Sequence, residues 1–348
     1  MNEHLFARAK WAFSTRRATR ALASDLDQRW DEVVPGQLIL GQVISIGQHG
    51  RMQLASGRPS TLYPGDLIVM PCGARYAPDQ FEGVAEIDPK GCDMLAGGGC
   101  LGRMMHRNDR IKPPTRVQPL GRITAADGQV LDTMNFALPR ATATPALPVI
   151  IVLGTAMNSG KTTATVALSH GLTLAGWRVA TLKGTGTGSF GDFNHYQDAG
   201  SAFVADFTDA GMVTTYREPL ARVAQGIMDL LAAAEDAGCD LAVMEIADGI
   251  FQRETAALIA DPGFRTWASG VIFACGDAVA AAGGVAELAR QGVHPLALTG
   301  LLSCSPMASA EALAATGVPV INRSQLLDPA EANRFAAQVG AQRVASAA

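Results

Sequence analysis

The sequence predicts an α/β protein in which a mostly parallel sheet carries helices on both faces and follows a smaller β-rich domain. Short β-rich runs punctuated by Gly and Pro fill residues 34–140, and apolar runs alternate with amphipathic stretches over residues 147–340. Buried β-runs that alternate with helices are typical of parallel sheets, whereas short strands between turn residues are typical of antiparallel barrels or sandwiches.

Composition excludes several classes of protein. The 348 residues are 48% hydrophobic and 17% charged with a formal net charge of -4, which argues against disorder and against a nucleic-acid partner. No apolar run has the length of a membrane span. The six cysteines show neither CxxC pairs nor zinc-ligand spacing. We therefore expect a cytoplasmic protein that acts on a small molecule, without a nucleic-acid or membrane partner.

The front of the chain is expected to hold a helix and then the β-rich domain. Apolar residues recur at roughly helical spacing in residues 1–33, which predicts a helix to about Arg29. Gly97-Gly98-Gly99 predicts a tight turn or a close backbone approach. The locally basic residues 103–114 are expected to form an exposed loop, with an anionic ligand on the other domain as the alternative. The predicted β-runs are QLILGQVISIG, RMQLA, DLIVMPCG, GVAEI, TRVQPLGRI and QVLDTM, in that order.

The back of the chain begins after ATATPALP (141–148), which we interpret as a linker. Alternation of apolar and amphipathic stretches predicts strands and helices in turn. We expect strands at 149–153, 178–182, 241–246, 270–275, 297–303 and 319–321, with helices such as 161–175, 218–237 and 278–291 between them.

The strongest functional signal follows the first of these strands. The apolar strand ends at Leu153, and Gly160-Lys161-Thr162-Thr163 opens a helix, which is the context of a Walker A motif. Backbone N–H groups in such a turn and the helix dipole attract an anion. Lys161 would add positive charge for the β- and γ-phosphates, and Thr162 a hydroxyl for Mg²⁺. The predicted nucleotide-binding residues are Gly154, Thr155, Asn158, Ser159, Gly160, Lys161, Thr162 and Thr163.

The glycine spacing departs from the usual Walker A form, because Gly154 lies one residue early and Thr155 occupies the first glycine position. GTAMNSGKTT resembles the GT-x4-GKT form of dethiobiotin synthetase and its relatives in the MinD-like class of P-loop proteins. Residues 147–325 are also similar to a domain-of-unknown-function family that includes D-glutamate N-acetyltransferases. The resemblance implies a P-loop domain and a homodimer that pairs across the nucleotide site. The β-rich domain resembles neither family.

Two further strand ends carry charged residues. Lys183 precedes a run of alternating glycines, and Gly184, Gly186 and Gly188 would let backbone amides approach an anion. In dethiobiotin synthetase-like proteins the equivalent strand ends in a lysine that reaches the reacting group, and Lys183 matches that position. The alternative is a flexible loop with Lys183 in solvent. Glu245 resembles the strand-terminal Glu of the dethiobiotin-synthetase and cobyrinate-synthetase families, where a Walker B acid is expected.

Several polar residues are candidates for the remaining roles. The carboxylates Asp192, Asp198 and Asp206 follow the glycine run, and related P-loop proteins place one such aspartate on Mg²⁺; Asp192 is the best placed of them. Asp248 ends the same apolar run as Glu245, and the alternative is that it only begins a turn, since Asp248-Gly249 is a typical turn pair. The predicted metal ligands are Thr162, Asp192 and Glu245. The predicted catalytic residues are Lys161, Lys183, Glu245 and Arg253, of which Arg253 would clamp a substrate anion. Asn322 is expected to contact the nucleobase by resemblance, and His195 is a candidate general base.

Three functions fit these residues. The first is an ATP- and Mg²⁺-dependent enzyme, kinase- or ligase-like, that phosphorylates or activates a small carboxylate-type metabolite. The second is an N-acetyltransferase whose P-loop binds the phosphates of acetyl-CoA. The third is a nucleotide-switched binding or metal-delivery protein, which the absence of an N/T-K-x-D motif disfavours, because no lysine follows Lys183.

Overall fold

The computed structural model describes residues 3–343. The chain forms two compact units, and each is described by itself. The first comprises Met1–Leu138, Gly186–Gly191 and Phe207–Glu218, and the second comprises Pro139–Thr185, Asp192–Asp206 and Pro219–Ala348. The first unit therefore takes in two segments that the sequence pattern places within the predicted domain at 147–340.

The N-terminal region differs from the predicted helix over residues 1–33, of which residues 1 and 2 lie outside the described part. Helix α1 covers only Glu3–Arg8. Strands β1 (Lys10–Trp11) and β2 (Asp25–Asp27) follow, with 3-10 helices at Phe13–Thr15, Arg20–Leu22 and Trp30–Glu32. The helix to about Arg29 is wrong because the apolar side chains reach the core from extended segments: Trp11 is buried in β1, where its indole N–H donates to the Phe6 carbonyl (3.1 Å).

The first unit is a mostly antiparallel β structure. Its further strands are β3 (Leu38–Ser45), β4 (Arg51–Gln53), β5 (Pro59–Thr61), β6 (Leu67–Pro71), β7 (Arg75–Tyr76), β8 (Phe81–Val84), β9 (Cys92–Ala96), β10 (Cys100–Arg107) and β11 (Thr115–Thr124). Nine strands form one sheet in the order β1-β6-β3-β11-β9-β10-β8-β7, with β2 on β11, and β4 pairs with β5. Among the strand pairs of residues 3–343 in this sheet, β1 and β6 pair in parallel and the others are antiparallel, while a single parallel bridge joins Cys72 to Leu101.

Two predictions for this unit are wrong in detail. Residues 103–107 belong to β10 and pair there with β8, so the predicted loop is wrong over these residues. Residues 108–114 do lie outside helices and strands, and most of the segment is exposed as predicted. QVLDTM forms no strand; Asp132 instead caps a 3-10 helix at Thr133–Phe136 by accepting from the Met134 N–H.

The central strands of the nine-stranded sheet are buried on both faces. On β3, Ile39 packs into one apolar cluster while its neighbours Leu38 and Leu40 pack into another, and on β6 Ile68 and Val69 divide in the same way. Because successive side chains of a strand point to opposite faces, the two clusters are the cores on either side of the sheet.

The second unit contains a parallel sheet, which confirms the α/β prediction. Its strands are β12 (Val149–Gly154), β13 (Val179–Lys183), β14 (Phe203–Asp206), β15 (Leu241–Glu245), β16 (Gly270–Ala274) and β17 (Ala297–Thr299), in the order β14-β13-β15-β12-β16-β17. Every pairing in it is parallel. The strand expected at 319–321 is wrong: only a single bridge joins Val320 to Leu298.

Helices connect these strands. They are α2 (Lys161–Leu174), α3 (Phe190–Asp198), α4 (Leu220–Asp236), α5 (Arg253–Ala260), α6 (Phe264–Trp267), α7 (Ala278–Arg290), α8 (Pro306–Thr316), α9 (Arg323–Leu327) and α10 (Pro329–Gln338), with a 3-10 helix at Leu301–Cys304. Leu168 and Leu172 of α2 pack on Val152 and Val243 of the sheet in the main apolar core of this unit. Within residues 3–343, no helix combines the length and hydropathy that a membrane crossing needs.

Strand register sets the position of the polar residues. Lys183 of β13 lies opposite Glu245 of β15 on one side and Asp206 of β14 on the other, and Gly154 of β12 lies opposite Ala274 of β16. The carboxyl ends of these parallel strands therefore meet at one edge of the sheet, where ligands of open α/β sheets bind.

Candidate functional site

The loop between β12 and α2 is fixed by the strand ends and loops around it. The Thr155 N–H donates to the Ala274 carbonyl (3.0 Å), the Ile250 N–H donates to the Gly154 carbonyl (3.1 Å), and the Leu301 N–H donates to the Ser159 carbonyl (3.2 Å). Backbone bonds with the end of β16 and with the segments after β15 and β17 thus hold the loop in one conformation, which lowers the entropy that ligand binding has to remove.

Two glycines of the loop are required by close packing. A Cβ atom on Gly154 would lie 2.4 Å from Ser159 Oγ and 2.8 Å from Lys161 Cγ. Gly160 has a φ of 102°, and a Cβ there would lie 2.9 Å from the Gly300 Cα. In the usual Walker A spacing, the first glycine stands one position later, where this chain has Thr155. Gly154 has the same effect here, because its missing side chain leaves room for Ser159 and Lys161 at the start of the helix.

The loop presents hydrogen-bond donors that have no acceptor. Among residues 3–343, the N–H groups of Gly160, Lys161 and Thr162 find no protein partner, and no side chain caps α2. The Ser159 hydroxyl is buried and equally without a partner. Buried polar groups are normally hydrogen-bonded, and a helix start with free N–H groups attracts an anion.

Lys161 lies at this helix start and makes no ion pair within the described part of the chain. Its side chain is buried, and Nζ donates to the Ala156 carbonyl at 2.8 Å. Burial lowers the pKa of Lys161, while the carboxylates of Glu245 and Asp248 act in the opposite direction. The ammonium group, bonded to a single neutral acceptor of its own loop, is free to exchange that carbonyl for an anion.

Lys183 has a different environment. Its Nζ is bonded to the Asp192 carboxylate and lies 3.3 Å from Glu245 Oε1. Burial opposes the charge, but Glu245 and Asp192 outweigh burial and raise the pKa of Lys183. The Tyr196 hydroxyl, itself fully buried, donates to Glu245 Oε2 at 2.7 Å. The alternative of a solvent-facing Lys183 is wrong, because its side chain is only 11% exposed.

The glycine run after Lys183 does not offer its amides to an anion. The Gly184 N–H donates to the Glu245 carbonyl (2.9 Å) and the Gly188 N–H to the Val213 carbonyl (3.3 Å). The Gly186 N–H donates to the Thr215 hydroxyl (2.9 Å). The prediction that these amides approach an anion is therefore wrong, because each already has an acceptor in the protein.

The three candidate aspartates are separated by the fold. Asp192 contacts Lys183, Asp198 is exposed at the end of α3, and Asp206 is buried at the end of β14. Both oxygens of Glu245 face donors, and no group of three or more His, Cys, Asp or Glu side chains within residues 3–343 is arranged to hold a metal ion. Mg²⁺ does not need such a cage, since it is commonly held by one or two protein groups together with phosphates and water.

Two predicted side chains lie apart from these residues. Arg253 begins α5 with an exposed side chain, and His195 is exposed on α3. In the described chain neither makes a hydrogen bond or an ion pair with Lys161 or Lys183.

Asp248 follows the strand that ends at Glu245, where the sequence pattern predicts either a strand-end carboxylate or a turn residue. It has a left-handed backbone with a φ of 63°. Its carboxyl is half-buried, and burial raises its pKa to about 6, although Lys161 and Lys183 act to lower it. A Cβ on the next residue, Gly249, would lie 2.4 Å from the Thr155 carbonyl oxygen. The Asp-Gly pair predicts a turn correctly. Only the fold shows that this turn packs on the loop between β12 and α2 (residues 155–160), which we call the phosphate loop.

A cavity of about 350 Å³ adjoins the start of α2. Asn322 lines it, although its Oδ1 also caps α9 by accepting from the Gln325 N–H at 3.0 Å. The other lining residues are Gly160, Thr163, Ala164, Thr299, Gly300, Leu301, Ser303, Cys304, Arg323, Ser324 and Leu326. The volume lies in the range of small-molecule sites.

A strand, a glycine-containing loop and a Lys-Thr helix start at the carboxyl edge of a parallel sheet form the arrangement of a P-loop. Solved structures similar to the chain include signal recognition particle 54 kDa protein from Aeropyrum pernix K1 in complex with GDP, at 18% identity and a TM-score of 0.36 over 57% of this chain and 47% of that one. The signal recognition particle receptor FtsY from Elizabethkingia anophelis matches at 16% identity and a TM-score of 0.37, over 56% of this chain and 68% of that one. No family model and no curated protein matches the chain.

Proposed function

We propose that this protein binds a nucleoside triphosphate with Mg²⁺ and transfers its γ-phosphoryl group. The observation that carries the proposal is the set of donors at the start of α2: free N–H groups at residues 160–162, the buried and unpartnered Ser159 hydroxyl, and Lys161 without an ion pair. Donors arranged in this way complement a chain of phosphates, and little else in the unit would satisfy them.

Each residue has a role that follows from its position. Lys161 and the loop amides would hold the β- and γ-phosphates and stabilise the charge that develops during transfer. The cavity beside Gly160 and Thr163 would receive the nucleoside, with Asn322 at its edge. Lys183, Glu245 and Tyr196 form a fixed polar network behind the phosphates.

Thr162 and Asp192 are the groups we assign to Mg²⁺. Thr162 is the first residue of α2 after Lys161, and Asp192 has one oxygen not bonded to Lys183. When bound, Mg²⁺ supplies charge neutralisation on the phosphate oxygens. Glu245, the other predicted metal ligand, is better suited to orienting Lys183, because each of its oxygens already faces a donor.

The predicted carboxylate acceptor fits the local charges less well than a neutral acceptor. Lys183 is engaged by two carboxylates, and Asp248 adds a third near the phosphate loop. Arg253, the predicted clamp for a substrate anion, is exposed on α5. A second anionic group would have to enter a region whose cations are already paired or needed by the phosphates.

Titration calorimetry with MgATP, MgGTP and acetyl-CoA tests the proposal. We expect heat from a magnesium nucleotide, its loss in Lys161→Ala, and no change in the matched variant Lys90→Ala, whose lysine is exposed in the first unit. Binding of acetyl-CoA alone would favour the acyltransferase instead. Binding of MgGTP without phosphoryl transfer would favour the nucleotide-switched protein, and the absence of heat from all three would refute nucleotide binding.

We also propose the homodimer that the resemblance implies. Large apolar side chains are exposed on segments that follow the carboxyl ends of β15, β16 and β17: Phe251 (75%), Val279 (84%), Leu301 (57%) and Met307 (77%). Exposed apolar side chains grouped at one edge are typical of interaction surfaces. Light scattering with and without MgATP should give a dimer mass, and Val279→Glu with Met307→Glu should give a monomer; a monomer in every wild-type condition would contradict pairing.

A further inference from the structure

The turn at Asp248-Gly249 is built against the phosphate loop rather than merely ending β15. Its Ile250 N–H donates to the Gly154 carbonyl, and the Gly249 backbone packs so closely on Thr155 that a side chain would not fit. Asp248 adopts a φ of 63° within this turn. Non-glycine residues in this region cost about 1–2 kcal/mol, and such conformations cluster at functional sites.

The Asp248 carboxyl is also available to accept a proton. Within the described residues it makes no hydrogen bond and no ion pair, whereas Glu245 and Asp192 are both bonded to donors. The charged groups that act on it are the cations Lys161 and Lys183 and the carboxylates Glu245 and Glu254. An acid that is half-buried, lacks a partner and lies in the field of the phosphate-loop lysine has the attributes of a general base.

We propose that Asp248 accepts the proton of the nucleophile, and that this nucleophile carries an O–H group rather than a carboxylate. The inference rests on the proposed nucleotide function and narrows its acceptor to water or a hydroxyl. A carboxylate nucleophile has no proton to give at neutral pH and would be repelled by Asp248, whereas an O–H group needs a base.

The step balances with MgATP as the phosphoryl donor. The nucleophile oxygen forms a bond to the γ-phosphorus, the bond between that phosphorus and the β,γ-bridging oxygen breaks, and its electron pair leaves with ADP. The proton of the O–H group passes to the Asp248 carboxylate and then to solvent. Water as nucleophile gives inorganic phosphate, and an alcohol gives its phosphate ester.

Asp248→Asn and Asp248→Gly test the assignment, with MgATP as probe. Asparagine and glycine both tolerate the left-handed backbone, so the fold and nucleotide affinity should persist. We expect phosphate release to fall by about 100-fold or more in both variants, while the calorimetric Kd for MgADP stays within about threefold of the wild-type value. Asp236→Asn, which changes an exposed aspartate on α4, should match the wild type in both measurements.

Formate supplies the second readout. Added formate should restore part of the rate of Asp248→Gly, whose missing side chain leaves space for it, and none of the rate of Asp248→Asn. Glycerol as a model alcohol separates the two nucleophiles, since transfer to its hydroxyl yields glycerol phosphate. Rates of Asp248→Asn within about threefold of a wild type that turns over MgATP would overturn the role of Asp248 alone. A wild-type protein that binds MgATP but transfers its phosphoryl group neither to water nor to glycerol would overturn both the role of Asp248 and the phosphoryl transfer in the proposed function. A wild type that binds neither MgATP nor MgGTP would overturn the nucleotide binding of the proposed function as well.

Discussion

Two glycine-rich turns of the second unit's sheet look alike in sequence and differ in chemistry. The turn at residues 154–160 follows β12, and the run at residues 184–191 follows β13; each lies beside one of the two lysines in the back half of the chain. In the first, the amides at the helix start are open and Lys161 is not ion-paired. In the second, the amides of Gly184, Gly186 and Gly188 are bonded and Lys183 is held by carboxylates.

The difference shows that glycine content does not by itself make an anion site. Glycine permits close approach of a backbone, but the approach serves an anion only where the N–H groups lack other acceptors. At the first turn a helix start leaves donors unsatisfied, whereas at the second turn residues 186–191 pair with 213–215 within the first unit. The first turn is thus suited to binding and the second to structure.

The largest expected effect concerns the paired lysine. Lys183→Met should lower the free energy of unfolding by about 3–5 kcal/mol, because it leaves the buried Glu245 carboxylate and the half-buried Asp192 carboxylate without their cation. Urea denaturation measures this loss. The double variant Lys183→Met/Asp192→Asn should recover part of the loss, and a single-variant change below about 1 kcal/mol would mean that Lys183 is not structural.

Replacing the unpaired lysine, Lys161, should reduce activity strongly and stability little, the reverse of what we expect for Lys183. Lys161→Ala should reduce phosphate release from MgATP by about 100- to 1,000-fold, since a positive charge aimed at the transferring group is lost. Its free energy of unfolding should change by no more than about 1 kcal/mol, because no carboxylate is left without a partner. Steady-state kinetics and urea denaturation measure the two quantities, and turnover at the wild-type level would remove Lys161 from the mechanism.

Asp248 extends the comparison between paired and unpaired charged residues to a carboxylate, because no ion pair compensates its charge. Its pKa is raised from 3.8 to about 6 in the folded protein, so the folded form binds more protons between these values and stability falls as the pH rises through them. Asp248→Asn removes that cost. The variant should exceed the wild type in unfolding free energy by about 3 kcal/mol at most at pH 7.5, and the gain should shrink toward pH 4.5. A gain that does not depend on pH would contradict the assigned charge state.

The smallest effect tests the backbone of the first turn. Gly160→Ala should cost about 1–2 kcal/mol in unfolding free energy, because alanine is strained at a positive φ, and it should also weaken MgATP binding. Gly283→Ala is the matched control: Gly283 lies inside α7 with open space where a Cβ would go, so alanine there should be neutral or stabilising by up to about 1 kcal/mol. Equal effects at both positions would mean that the phosphate loop tolerates a side chain.

Local patterns predicted the elements of the second unit well, and the first unit less well. The strand–loop–helix around Gly154 and Lys161 has the predicted form, because apolar runs and a glycine turn act over short distances. The predicted N-terminal helix is wrong beyond Arg8, because Lys10 and Trp11 form a β-strand that pairs with β6 instead. Tertiary burial overrode a weak helical preference there.

The sequence by itself determined the existence of the phosphate loop, the parallel sheet and the strand ends that carry Lys183 and Glu245, because each depends on hydrophobic periodicity and on turn residues close together in the chain. Only the tertiary structure decided which donors stay free. Whether an amide, a lysine or a carboxylate is available to a ligand depends on partners tens of residues away, such as Asp192 and Glu245 for Lys183, or the lack of one for Asp248. Whether a donor or acceptor is already hydrogen-bonded depends on the whole fold. This property distinguishes the turn at residues 154–160, whose donors are free, from the similar glycine run at residues 184–191.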